Sequence, residues 1–127
     1  MKYIKTIFFI FNFLLIILYL YPGSVIGCVM YNDCLNQPKI IKDIVISSNH
    51  FFVFLIFSIL GISSYSNQIR NICIYLLCCA FFLEILHYFI PNRAFQIQDL
   101  FGNILGAILP LVIVYFVKYR RKKHEYF

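Results

Sequence analysis

Six polar side chains stand out against an apolar background: His50, Glu84, His87, Arg93, Asp99 and Asn103 lie in or beside runs of Ile, Leu, Phe and Tyr. Glu84 and His87 are one helical turn apart and share a face, the spacing of an acid–base pair or of two groups meeting one ligand. Asp99 and Asn103 are related in the same way, on a stripe that continues through Gly102, Gly106 and Pro110. Between the pairs, Pro91-Asn92-Arg93 marks a turn, and from it the planar guanidinium of Arg93 could bridge Glu84 and Asp99. An ionised carboxylate at the centre of a membrane helix costs about 2.5–3.5 kcal/mol on insertion scales, so Glu84 is expected to be neutral, paired or wetted. These six residues form the candidate ligand-binding cluster, and Gly102-x-x-x-Gly106 is a helix-packing motif that lets a neighbouring backbone approach closely.

The residue types allow several chemistries. A polar or anionic group, such as a lipid head group or a cell-envelope precursor, would find donors in Arg93 and His87. A membrane enzyme could use Glu84 with His50 or His87 as general acid and base. No nucleophile with its own base is visible, H-E-x-x-H is absent and Glu-x-x-His occurs once, so no catalytic residue is assigned and binding is preferred to catalysis. A proton or ion path would need polar residues below the cluster, and the other halves of these helices supply almost none. The same charged residues could also serve purely to tie one helix to the next. The five cysteines contain no C-x2-C pair, and Cys73, Cys78 and Cys79 fall in an apolar helix, so no metal site and no cofactor is expected.

The elements that must position the cluster follow from composition. The chain has 127 residues, 62% of them hydrophobic and 13% charged; a soluble domain carries about 25% charged residues. With a mean hydropathy of +0.84, it reads as an all-α integral membrane protein, a single domain over residues 1–127. Four apolar runs, about 4–21, 50–65, 72–90 and 100–117, each approach the roughly 17–25 residues that span a bilayer. The second is short unless Ile44 to Asn49 adds a turn. Lys2 and Lys5 before the first run also suit a secretory signal, and Val25-Ile26-Gly27-Cys28 resembles a lipoprotein cleavage box.

Between the first two runs lies a polar loop, 22–49. Cys28 and Cys34 within it could pair in an oxidising compartment or remain two free thiols. From Pro38 to Ile46 the apolar residues fall at helical spacing opposite Lys39, Lys42 and Asp43, the pattern of a short helix lying in the membrane interface.

Orientation follows from Lys and Arg. Four spans put both termini on one side, and a cytoplasmic placement collects Lys2, Lys5, Arg70 and the tail Lys118, Arg120, Arg121, Lys122 and Lys123 there, against Lys39, Lys42 and Arg93 outside. The basic tail, 118–127, would also attract anionic lipid at roughly 1 kcal/mol per charge. The net charge of +6 therefore points to the lipid bilayer, and no groove-reading or single-strand motif accompanies it to suggest nucleic acid. In this arrangement the cluster gathers at an outer mouth, with the multi-pass chain in a cell membrane, most simply a bacterial plasma membrane.

Glu84, Pro91, Arg93, Asp99, Asn103 and Gly106 resemble, in type and spacing, the signature of the VanZ-like family of small integral membrane proteins, E-x-x-Q-x-x-x-P-x-R-x-x-x-x-x-D-x-x-x-N-x-x-G. His87 stands where Gln is usual and Asn92 where Gly is frequent; His50 remains of a D-K-x-x-H at the second helix, with Ile46 and Ser47 in place of the acid and the base. The resemblance implies a four-span membrane protein without an assigned reaction. Through the member that gives the family its name, it also implies a link to susceptibility to teicoplanin, a glycopeptide.

Overall fold

The computed structural model describes residues 2–43 and 45–124, apart from the side chains at 119 and 121–124, and every regular element among them is helical. The helices are α1 (Lys2–Leu20), α2 (Val25–Tyr31), α3 (Ser48–Ser64), α4 (Ile69–Leu86) and α5 (Ile97–His124), with 3-10 turns at Ser66–Gln68 and His87–Phe89. α3 packs on α1, α4 and α5. Successive long helices run in opposite directions. Ser64 Oγ donates to Ile4 O at 3.2 Å, Lys5 Nζ sits 5.1 Å above the Tyr65 ring and Lys118 Nζ donates to Ser66 O at 3.3 Å. The start of α1 and the apolar end of α5 thus meet the α3–α4 connection at one end of the bundle. The candidate cluster lies at the other.

Among the described residues three helical stretches, not four, are long and apolar enough to cross a membrane: Lys2–Leu20, Ser66–Phe89 and Ile97–Lys118. α3 has 17 residues, about 26 Å at 1.5 Å per residue against a hydrocarbon core of about 30 Å. Of the 44–49 stretch that could have lengthened the second run, only Ser48 and Asn49 join the helix among the described residues. Ser47 N donates to Gln98 O at 3.2 Å and Ser48 N to Asp43 Oδ1 at 2.9 Å, so the chain is held off the helical path and Asp43 caps the helix from outside.

The expected interfacial helix over Pro38–Ile46 is also absent among the described residues; Ile44 lies outside them. Side chains of α3's first turn take over the backbone groups such a helix would have used. Asn49 accepts from Ile40 N and donates to Pro38 O, while Ser48 Oγ bonds Ile41 N and Ile41 O. The loop's helix is instead α2, with Ser24 Oγ accepting from Gly27 N and Asn32 closing it in the left-handed region at φ 54°. Cys28 and Cys34 form a disulfide, which leaves the Cys28 sulfur no valence for lipidation.

The core is aliphatic and aromatic. Phe8, Leu15 and Tyr19 of α1 meet Phe54 and Phe57 of α3, Ile72, Leu76 and Ala80 of α4, and Ala107 of α5. Phe8 and Phe57 stack with centroids 5.2 Å apart. On α5, Gly102 and Gly106 face α3: a Cβ at Gly102 would come within 2.7 Å of Ser47 O, and one at Gly106 would collide with Phe51 O. This closeness lets Ser58 Oγ donate to Ala107 O at 2.8 Å across the same seam. Large side chains elsewhere, among them Phe9, Phe13, Phe82, Ile113 and Phe116, point outward, as surfaces that meet lipid do. Of the basic tail, Lys118 and Arg120 are described and exposed, whereas the side chains of Arg121, Lys122 and Lys123 lie outside the described residues.

Candidate functional site

Four helix ends converge to build the site. α1 contributes Tyr19 from its last turn, α3 His50 from its first, α4 and the turn after it Glu84 and His87, and α5 Asp99 and Asn103 from its start. Glu84 and Asn103 are fully buried, and His87 and His50 expose 2% and 5% of their surface. Polar groups so enclosed must satisfy one another.

Asn103 organises the network. Its Nδ2 donates to Ala80 O at 3.3 Å, so Oδ1 is the atom turned toward Tyr19 and His50. The Tyr19 hydroxyl gives its one proton to that oxygen at 2.7 Å. His50 Nδ1, 3.1 Å from the same oxygen and 3.0 Å from the hydroxyl, then carries its N–H. Its Nε2 faces Asp99 Oδ2 at 3.4 Å. His87 is fixed by the same logic, since Nε2 donates to the carbonyl of Tyr19 at 3.0 Å and leaves Nδ1 to face Glu84 Oε1 at 3.3 Å. Each imidazole thus has one nitrogen held by a fixed acceptor and the other aimed at a carboxylate.

Glu84 is divided between two tasks. Oε1 accepts from Gln96 N at 3.1 Å, which pins the α4–α5 connection onto the site. Oε2 is buried with no hydrogen-bond partner among the described residues and lies 3.7 Å from His50 Nδ1. Two carboxylates and two imidazoles in so small a volume call for protons or a cation between them.

The structure brings His50, Glu84, His87, Asp99 and Asn103 together and sets Arg93 to one side. Arg93 does not bridge the carboxylates. Its Nη2 donates to Leu18 O at 3.2 Å, Nε to Tyr21 O at 3.3 Å and Nη1 to Gln37 Oε1 at 3.3 Å. It caps the C-terminal carbonyls of α1, where a cation also complements the helix dipole. Burial pulls its pKa down from the ordinary guanidinium value, the negative charge nearby opposes this, and the group stays charged at any cellular pH. Asn92, at φ 60°, makes the turn that aims it.

Tyr19 is the member that sequence reasoning missed. Its ring stacks on His87 at 5.3 Å and meets His50 edge-on at 5.2 Å, so both its hydroxyl and its face belong to the site. Phe8, Leu15 and Tyr19 form one buried stripe of α1, which a helix apolar on every side does not mark in the sequence. Asp99, His50 and Tyr19 lie in line, but the Tyr19 proton is directed to Asn103, so this is not the arrangement of a nucleophile served by a base.

Two cavities of about 340 Å³ each open beside the cluster, beneath the 22–49 loop. One is walled by Leu15, Leu18, Val25, Met30, Ile40 and Val53. The other is lined by Asn36, Asp43, Ser47, Asn92, Gln96 and Asp99. Ser24, Gln37, Lys39, Asn49, His50, His87 and Arg93 line both, so an apolar and a polar chamber share one wall that carries two cations.

The model of the VanZ/LLP1 family matches residues 3–118. No curated protein and no solved structure matches the chain.

Proposed function

The chain belongs to the VanZ/LLP1 family, and we propose that it is a membrane protein whose polar cluster faces outward and holds the anionic head group of an envelope lipid or lipid-linked precursor. The observation that carries this reading is the pair of adjoining cavities that share lining residues. An amphiphile needs an apolar wall for its tail and a polar wall with cations for its head, and here both meet at His50, His87, Arg93 and Lys39. Arg93 can serve because its guanidinium has five donors and the three hydrogen bonds within the chain leave others for a ligand.

The outward placement rests on charge and redox chemistry. Lys2, Lys5, Arg70, Lys118 and Arg120 lie toward the end away from the cluster, which the positive-inside rule assigns to the cytoplasm together with both termini. A disulfide between Cys28 and Cys34 in the loop over the cluster suits an oxidising exterior. The tail would rest on anionic lipid of the cytoplasmic leaflet. Through such a ligand the protein would alter susceptibility to envelope antibiotics, glycopeptides such as teicoplanin included.

Lipids extracted from the purified chain test the reading. Mass spectrometry should find an anionic lipid enriched over the bulk membrane with the wild-type chain, and the enrichment lost in Lys39→Gln and in Arg93→Gln. A retained lipid composition equal to that of the membrane, unchanged by either substitution, would overturn it.

A further inference from the structure

Glu84 Oε2 and the outward nitrogen of His50 are left over once the hydrogen bonds of the cluster are assigned. We propose that His50, Glu84 and Asp99 form a binding site for one borderline divalent cation of the Zn2+ class. A ring nitrogen of His50 and one oxygen from each carboxylate lie within 4.8 Å of one another. One imidazole with two carboxylates is a donor set for Zn2+ and similar first-row ions, whereas hard ions such as Mg2+ prefer oxygen alone.

Three features support the site. The first is the orphaned oxygen: Glu84 is fully buried, its Oε1 is fixed by Gln96 N, and Oε2 has no hydrogen-bond partner among the described residues and lies 3.7 Å from His50 Nδ1, the nitrogen turned to Asn103. The second is the orientation of the imidazole. With Nδ1 donating toward Asn103 Oδ1, His50 presents the Nε2 lone pair to Asp99 Oδ2 at 3.4 Å, an acceptor set against an acceptor. Two donors to a tetrahedral ion with bonds of about 2.0–2.1 Å stand about 3.4 Å apart, so the spacing suits a shared cation. The third is the support around the ligands. A metal-bound histidine ordinarily donates its other N–H to a fixed acceptor, as His50 does to Asn103, and a ligating carboxylate is ordinarily hydrogen-bonded, as Glu84 is by Gln96.

Asp99 is the partly exposed member, with 15% of its side chain open, and it borders the polar cavity. It supplies the entry path from that cavity. Three protein donors leave a coordination position open toward that cavity, as in sites that take up an exogenous ligand rather than sites that only brace a fold. The cation site does not depend on the lipid reading; an anionic head group is one of several groups that could occupy the open position.

The experiment uses the full chain in detergent, stripped with a chelator and titrated with Zn2+ by calorimetry. One equivalent should bind saturably, and Asp99→Asn and Glu84→Gln should each weaken binding by more than roughly tenfold, the loss that even outer-shell partners cause. Co2+ loaded into the wild-type chain provides a readout that needs no variant. It should show visible d–d absorption without a thiolate charge-transfer band, which separates the site from Cys73, Cys78 and Cys79. Absence of saturable Zn2+ uptake, affinity unchanged in both variants, or a thiolate band would each overturn the proposal. If neither variant is recovered folded, the wild-type titration and the Co2+ spectrum decide.

Discussion

Removing the Asn103 side chain is the sharpest perturbation of the network. Asn103→Ala deletes three polar contacts: to Tyr19 Oη, to His50 Nδ1 and to Ala80 O. In membrane proteins each such contact contributes about 0.6 kcal/mol on average, because separated helices find other partners, so the three together contribute about 2 kcal/mol. An orphaned buried group adds about 1–3 kcal/mol on soluble scales, and here the low end applies. The Tyr19 hydroxyl and His50 Nδ1 are 3.0 Å apart and can pair with each other, while Ala80 O sits inside a helix that supplies its own donor. The expected loss is therefore about 3 kcal/mol. Unfolding of the purified chain in mixed micelles titrated with dodecyl sulfate, followed by circular dichroism, measures it. A change below about 0.5 kcal/mol would refute the assignment of Asn103 as the central tie among α1, α3, α4 and α5.

Other perturbations separate the remaining parts of the structure. Gly106→Leu sets a side chain against Phe51 O and within 3.0 Å of Leu55 N, where α3 backbone cannot give way; size-exclusion chromatography should show loss of the monodisperse species, and a normal profile would contradict the tight α3–α5 seam. Burial pushes the Asp43 carboxyl up, but hydrogen bonds from Lys39 and Ser48 outweigh it and hold the pKa below the usual range. The stabilisation is therefore present above the unfolded-state value, about 3.9, and is lost as pH falls through the lower folded value. Protection factors of the amides in 38–48, taken relative to their intrinsic exchange rates, should fall under those acid conditions, and Asp43→Asn should lower them at neutral pH and flatten the dependence. Replacing Cys28 and Cys34 together with Ser removes a crosslink over six residues, about 2 kcal/mol by loop entropy; limited proteolysis should cut the 22–49 loop faster, and an unchanged cleavage rate would contradict the crosslink's role.

The cluster was legible because a chain this apolar places few charges inside its helices, and Glu84, His87, Asp99 and Asn103 share faces by spacing alone. Its convergence with His50 follows from helices that alternate in direction. Arg93 misled because electrostatics favours the carboxylates, whereas the turn at Asn92 delivers the guanidinium to the open carbonyls at the end of α1. The loop was misjudged for a related reason. Hydrophobic periodicity over Pro38–Ile46 describes side chains only, and the competing bonds come from Ser48 and Asn49, whose role depends on where α3 begins. Tyr19 was hidden among ten tyrosines, most of them suited to a membrane interface. The His50–Glu84–Asp99 grouping draws on three helices, and no linear ligand spacing encodes it.

The central claim is that the two cavities hold one anionic amphiphile. The chain contains no Trp, so Ile26→Trp places a single indole at the apolar cavity without competing emission from another. In zwitterionic bilayers doped with lipids brominated in the tail, an anionic brominated lipid should quench this indole saturably at low mole fraction, well beyond a zwitterionic one, and Arg93→Gln should erase the difference. Quenching that rises in proportion to mole fraction, equal for both head groups, would contradict the account.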